Sequence, residues 1–187
     1  MRELKNARSV LDLGCGLCEL TERIPASVRY LGVEREPWML ERARKLLPFR
    51  RFTGADIEDP GFDPGEPVDR IVILAVFEHL ERPEKILQRA RQWAVRGGRM
   101  ILTTPAPRAK KILDLGARWG LLSRHAEDEH ERLWSIEEIR AAAEDAGWLF
   151  VRSRKFLFGL NQLVVLERSL DETAAISARK SRSPSTE

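Results

Sequence analysis

Across its 187 residues the chain has no apolar run approaching the roughly 20 that a membrane-spanning helix needs. Its first residues also lack the basic-then-apolar pattern of a secretory signal, so a cytoplasmic protein is expected. Cysteine is nearly absent. The only two, Cys15 and Cys18, spell C-x-x-C, which invites a redox or zinc reading. Zinc would need two further ligands at matching spacing, and a redox loop more usually places a proline or aromatic between the thiols than Gly16-Leu17. The plainer reading is that each position needs a small residue. Aromatics make up 7% of the chain, and a net charge of +3 is small where 33% of residues are charged. Such a composition describes a solvated, salt-bridge-rich surface, so no nucleic-acid partner is expected. No internal repeat is visible, and the length suits one α/β domain.

What is present is concentrated in Ser9 to Leu20, SVLDLGCGLCEL. Val10, Leu11 and Leu13 form the short apolar run of a strand covered on both faces. Gly14 and Gly16 then permit a sharp turn and a close backbone approach to a ligand, and the segment from Glu19 opens a short helix ended by Pro25. A glycine loop at the carboxyl end of a first strand is a cofactor loop. The dinucleotide fingerprint G-x-G-x-x-G would put its third glycine where Glu19 stands, and a carboxylate there repels a pyrophosphate. A nicotinamide oxidoreductase is therefore disfavoured. A cofactor bearing an ammonium and a sulfonium finds Asp12 and Glu19 tolerable or helpful, and S-adenosylmethionine is such a molecule.

Asp12-Leu13-Gly14-Cys15-Gly16 resembles the first motif of the class I S-adenosylmethionine-dependent methyltransferases, Asp/Glu-x-Gly-x-Gly-x-Gly, with Cys18 in place of the last glycine. The resemblance covers nearly the whole chain from Val10 to Glu167. It implies a Rossmann-like, mostly parallel α/β sheet of seven strands in the order 3-2-1-4-5-7-6, strand 7 antiparallel. Few residues precede Val10, so the leading helix that many relatives lay over the cofactor is not expected.

Val28 to Glu34 reads as the second strand, and its terminal carboxylate falls 22 positions after Asp12. That spacing brings Glu34 to the tip of the neighbouring strand, where it can accept both ribose hydroxyls; alternatively it only starts the following turn and caps the next helix. Pro37 to Leu47 is an amphipathic helix with Trp38, Leu40, Ala43, Leu46 and Leu47 on its apolar side. Phe49 to Gly54 gives a third strand, Glu58 to Pro67 a loop, and Val68 to Val76 the central fourth strand. The resemblance implies that Arg35 and Met39 flank the adenine. It also implies that Asp56 accepts from the exocyclic amine, that the Ile57 backbone meets the ring, and that Leu74 lies beside the cofactor with Asp12, Gly14, Cys15 and Gly16.

Phe77-Glu78-His79-Leu80 is the second chemical focus. His79 stands where a strand runs out beside the crevice, as a general base would. Ubiquinone-biosynthesis-type relatives resemble this Glu-His. Other relatives hold a divalent metal with Glu-x-x-Glu-His, but the first Glu is Ala75 here, and no metal site is expected. The remaining reading of His79 is a helix cap. The fourth strand is not followed by the Asn/Asp-Pro-Pro-Tyr of exocyclic-amine DNA methyltransferases.

Arg82 to Ala94 reads as a helix and Gly97 to Pro105 as the fifth strand. Residues 106–134 form an expected substrate lid, with a basic amphipathic helix over 110–122 that could also touch a membrane surface, His125 in a charged run, and His130 as a second catalytic candidate. Gly-Leu-Leu-Ser at 120–123 and Gly-Leu-Asn at 159–161 resemble relatives that accompany cell-surface polysaccharide synthesis. Ser135 and Glu138 make a capping box for a helix to Ala146, and two strands, Trp148 to Phe156 and Leu160 to Glu167, complete the sheet. One domain over 1–168 and a disordered tail over 169–187 follow. The expected activity is methyl transfer to a small-molecule, sugar or lipid-linked acceptor at oxygen; the alternative is a non-catalytic cofactor-binding or interaction module on a degenerate methyltransferase fold.

Overall fold

A computed structural model describes residues 2–109 and 132–170. The expected helix over 110–122, His125, His130 and residues 171–187 of the expected tail lie outside the described residues.

β1 (Ser9–Leu13) is buried along its whole length, as its apolar run requires. β2 (Arg29–Glu34) and β4 (Val68–Leu74) flank it in parallel, so that Asp12 lies opposite Gly32 on one side and Val72 on the other. β3 (Arg51–Gly54) adds to β2, and β5 (Ala94–Pro105) adds to β4, both in parallel. β7 (Asn161–Arg168) runs antiparallel to β5, and β6 (Trp148–Phe156) antiparallel to β7. The sheet order is β3-β2-β1-β4-β5-β7-β6, the order the resemblance implies. The chain progresses outward from β1 to β3 and restarts on the other side at β4. That reversal opens a crevice at the carboxyl ends of β1 and β4.

Among the described residues, α-helices cover the faces. α1 (Pro37–Leu46) begins with proline at its first turn and buries Leu40 and Ala43. Trp38 and Leu46, expected on its apolar side, are instead more than half exposed, because the 100° step per residue carries both away from the Leu40–Ala43 stripe. α2 (Pro83–Trp93) buries Ile86, Leu87, Ala90 and Trp93. α3 (Ile136–Asp145) has both bonds of its capping box: Glu138 N–H donates to Ser135 Oγ at 3.2 Å and Ser135 N–H to Glu138 Oε2 at 2.8 Å. Trp148, fully buried, donates its indole N–H to Leu87 O at 2.8 Å and so fastens β6 to α2.

Other boundaries differ for local reasons. The segment after the glycine loop is a 3-10 turn over Glu19–Arg23, too short to become an α-helix before Pro25. β3 starts at Arg51, because Arg50 turns away to reach the carbonyls of Val28 at 2.8 Å, Ile24 at 2.5 Å and Pro25 at 3.0 Å. β4 stops at Leu74, because Ala75 takes a left-handed backbone with φ 53°. No helix of the described residues is long and apolar enough to cross a membrane.

Candidate active site

A cavity of about 550 Å³ occupies the crevice. Its volume lies within the roughly 300–1,000 Å³ of small-molecule sites. All ten residues expected near a cofactor line it: Asp12, Gly14, Cys15, Gly16, Glu34, Arg35, Met39, Asp56, Ile57 and Leu74. His79 lines it too, whereas His130 lies outside the described residues.

The glycine loop is fixed to the sheet from below. The N–H groups of Gly14 and Cys15 both donate to Val33 O, at 2.9 and 3.0 Å. Gly14 has φ +71°, and a Cβ built on it would lie 2.5 Å from Val76 Cγ2, so only glycine lets the loop pass the end of β4. Gly16 also lies in left-handed space, at φ +52°, but nothing surrounds the Cβ position within 4 Å. That side is open cavity, where a ligand can approach the backbone. Cys18 has φ +65°, which explains why glycine is the usual residue in its place.

Glu34 is buried at the tip of β2 and holds the loop from the side. Its Oε2 accepts from Gly16 N–H at 2.9 Å, and its Oε1 from Glu36 N–H at 2.9 Å. A carboxylate offers about four acceptor positions, so two N–H bonds do not exhaust it. Asp12 lies deeper and accepts the Tyr30 hydroxyl at 2.7 Å. Burial pushes its carboxyl from 3.8 up to about 6, against the lowering effect of the Tyr30 bond, and the nearby Glu34 charge adds to the rise. Tyr30 is itself raised, by burial first and by the Asp12 charge.

The far wall comes from the segments after β3 and β4. Asp56 is exposed and accepts from Glu58 N–H at 2.8 Å, an Asx turn that presents Ile57, which is buried. Glu58 then clasps the segment after β4, accepting from Glu81 N–H at 2.9 Å and Arg82 N–H at 2.7 Å. Beyond β4, a 3-10 turn over Phe77–His79 buries Phe77 and Glu78 and leaves His79 exposed at the cavity. Sequence reading missed Glu58, Val76 and Leu80 in this wall. The Asp-x-Glu spacing of 56 and 58 is the one signal that could have drawn attention to Glu58.

The donor set selects among cofactors. Asp12, Glu19, Glu34, Glu36, Asp56 and Glu58 all line the cavity, with Arg35 as its only Lys or Arg among the described residues. A pyrophosphate would meet this acidic lining unfavourably, whereas a ligand carrying a sulfonium and an ammonium is attracted to it. The open backbone at Gly16 and the acceptor-rich tip of Glu34 fit a nucleoside whose sugar hydroxyls donate.

Comparison with known proteins agrees. The family model described as "Methyltransferase domain" matches residues 1–152. The chain belongs to that family. Trans-aconitate 2-methyltransferase of Rhizobium etli is 35% identical over 107 residues, which is 54% of this chain and 40% of that protein. The chain thus aligns with less than half the length of this curated relative. Among solved structures, an S-adenosylmethionine-dependent methyltransferase of Mesorhizobium loti matches with a TM-score of 0.72 at 17% identity, covering 90% of this chain and 94% of that one. Magnesium protoporphyrin IX methyltransferase of Synechocystis, solved with bound S-adenosylhomocysteine, matches with a TM-score of 0.64 at 22% identity, covering 86% and 74%. Those two likenesses show the fold. With the family membership and the acidic cavity, this is a class I methyltransferase domain whose cofactor is S-adenosylmethionine.

Proposed function

We propose that the chain transfers a methyl group from S-adenosylmethionine to an oxygen of a small-molecule acceptor, with sugars and lipid-linked glycans within the class. The observation that carries this reading is the gathering of every expected cofactor residue, together with His79, around one acidic cavity. S-adenosylmethionine, when bound, supplies an electrophilic methyl on a sulfonium with a good leaving group. The chain's own work is then positioning and water exclusion, the source of most of the advantage in such displacements.

In this reading the remaining acceptor positions of Glu34 take the ribose hydroxyls. Asp56 takes the adenine amine, with the Ile57 backbone, Arg35 and Met39 around the ring. Asp12, Gly14, Cys15, Gly16 and Leu74 form the floor beneath the amino-acid end. His79, at the exposed rim after β4, takes the acceptor's proton at an imidazole nitrogen when the acceptor is a hydroxyl; a carboxylate acceptor has no proton to lose and does not need it. The name of the Rhizobium etli relative supports a small organic acid as one acceptor to try.

The test is calorimetric titration with S-adenosylmethionine, S-adenosylhomocysteine and the reduced nicotinamide cofactors, followed by an acceptor screen over organic acids, phenols, sugars and lipid-linked glycans. Binding of the adenosyl sulfur compounds alone, with turnover on one acceptor, is the expected result. His79→Ala should then lower kcat on a hydroxyl acceptor and leave cofactor affinity nearly intact. Tight binding with no turnover on any acceptor would return the chain to the non-catalytic module.

A further inference from the structure

The proposed transfer involves no thiol chemistry, although the only two thiols in the chain both lie in the wall of its cavity. Cys15 and Cys18 are reduced, with their Sγ atoms 3.5 Å apart. A disulfide needs about 2.05 Å, so a sulfur shift of roughly 1.5 Å closes the pair. The connecting residues permit it, because Gly16 has nothing packed where a Cβ would be. The seat of Cys15 is also specific. Gly32 of β2 leaves the slot for its sulfur: a Cβ there would lie 2.8 Å from Cys15 Sγ and 2.7 Å from the Phe52 ring. One sulfur is thus held against the sheet, while the other sits at the end of the loop, where Cys18 N–H donates to Cys15 O at 2.8 Å. Both residues belong to the cavity wall and both are buried, at 8% and 2% exposure.

We propose that Cys15 and Cys18 are a reversible disulfide-exchange site, oxidised through the cofactor cavity by small-molecule disulfides of the glutathione type and shielded when the cavity is filled. The order of attack follows from the hydrogen bond the two thiols share. That bond lowers Cys18 and raises Cys15, whose burial adds to the rise, so Cys18 supplies the attacking thiolate. Cys18 Sγ attacks one sulfur of the disulfide, the S–S bond breaks, and one thiolate leaves. Cys15 then loses its proton to solvent and attacks Cys18 Sγ; the mixed disulfide breaks and the second thiolate leaves. Two protein thiols are oxidised by two electrons and one small disulfide is reduced to two thiols, which take up the two protons.

The consequence for the cavity rests on its assignment as the S-adenosylmethionine site. Closing the pair contracts the stretch 15–18, whose Gly16 N–H is held by Glu34 Oε2 at 2.9 Å. The contraction pulls the loop from the carboxylate that receives the ribose, so the oxidised form binds the cofactor more weakly. By linkage, bound cofactor must resist oxidation by the same factor.

The experiment uses the full chain, reduced and then equilibrated in glutathione buffers of increasing disulfide fraction, with and without saturating S-adenosylhomocysteine. Acid quench, alkylation and intact mass count the thiols. The expected product has lost both thiols and carries no glutathione, returns to the dithiol on adding reduced glutathione, and forms at least about tenfold less readily with S-adenosylhomocysteine present. Calorimetry on the oxidised form should show affinity for S-adenosylhomocysteine at least about tenfold below the reduced form. Thiols that resist every buffer, a glutathione adduct that never resolves, or an oxidised form binding as tightly as the reduced one would overturn the proposal. If the reduced protein fails to bind S-adenosylhomocysteine, the cofactor assignment falls, and the mass readout still decides whether the site exists. Cys15→Ser separates the steps, since it should stop at a glutathione adduct on Cys18.

Discussion

The two flanks of β1 are held by different means. Toward β2 and β3, polar groups tie the loops: buried Tyr30 to Asp12, buried Glu34 to the N–H groups of Gly16 and Glu36, and half-buried Arg50 to three backbone carbonyls. Toward β5 and β7, the interior is aliphatic, with Ile71, Ile73, Met100, Leu102, Val164 and Leu166 all fully buried. The apolar flank can supply the non-directional burial that drives folding, while the polar flank fixes the loops around the cavity. If that division holds, changes in the apolar flank should cost stability and spare ligand affinity, and changes at the carboxylates of the polar flank should show in ligand affinity or in the pH dependence of stability.

The largest effect should come from Trp148→Ala. It empties a fully buried indole site and removes the indole bond to Leu87 O, so about 3–5 kcal/mol of stability should be lost. Urea unfolding measures the loss, and the folded fraction should bind S-adenosylhomocysteine as the parent does. A matching loss of affinity would mean that the flanks are not separable.

Asp12 tests the opposite flank through pH. Its folded pKa of about 6 exceeds the unfolded 3.8, so between those values the folded chain keeps a proton that the unfolded chain has released. The stabilising contribution is therefore complete below the unfolded value and lost as pH rises through about 6, a change of about 3 kcal/mol. Urea midpoints of the parent and Asp12→Asn, compared at about pH 4 and about pH 7, should show the parent losing ground to the variant as pH rises. A constant difference would mean that Asp12 is not buried as a proton-binding group.

The same division explains what could be read from the sequence. Gly14, Gly16, Glu34, Asp56 and His79 sit where strands end, and strand ends are visible as apolar runs meeting glycine, charge or proline, so these residues could be placed without a structure. The Tyr30–Asp12 bond could not, because it depends on the β1–β2 register that sets Tyr30 opposite Val10. Nor could the Glu58 clasp, which joins two loops 23 and 24 residues apart through backbone N–H groups that no side-chain pattern marks. Cys18 was legible as a departure from the motif, but its reason, a left-handed backbone with φ +65°, is conformational. The fourth strand was read two residues too long because Ala75 and Val76 are as apolar as the strand itself, and only the turn at Ala75 stops it.

Glu34→Ala sharpens the comparison from the polar flank. Charge-assisted hydrogen bonds are worth about 1.5–3 kcal/mol, so S-adenosylhomocysteine affinity should fall about ten- to a hundredfold. Stability should change less, because the freed N–H groups of Gly16 and Glu36 belong to residues lining the cavity, where water can reach them. Unchanged affinity would mean that Glu34 only holds the loop.

The smallest effect is expected at Ser135, which caps α3 on the apolar flank. Its hydroxyl accepts from Glu138 N–H, and Glu138 returns a carboxylate bond to Ser135 N–H, so two otherwise unbonded donors at the helix start are satisfied by one pair of side chains. Ser135→Ala removes the first bond and should cost about 1 kcal/mol, read as a shift in urea midpoint. Because α3 packs Ile139 and Ala143 into the core away from the cavity, cofactor affinity should not move. A drop in affinity larger than the drop in stability would show that the start of α3 is coupled to the crevice, and the apolar flank would then share in binding.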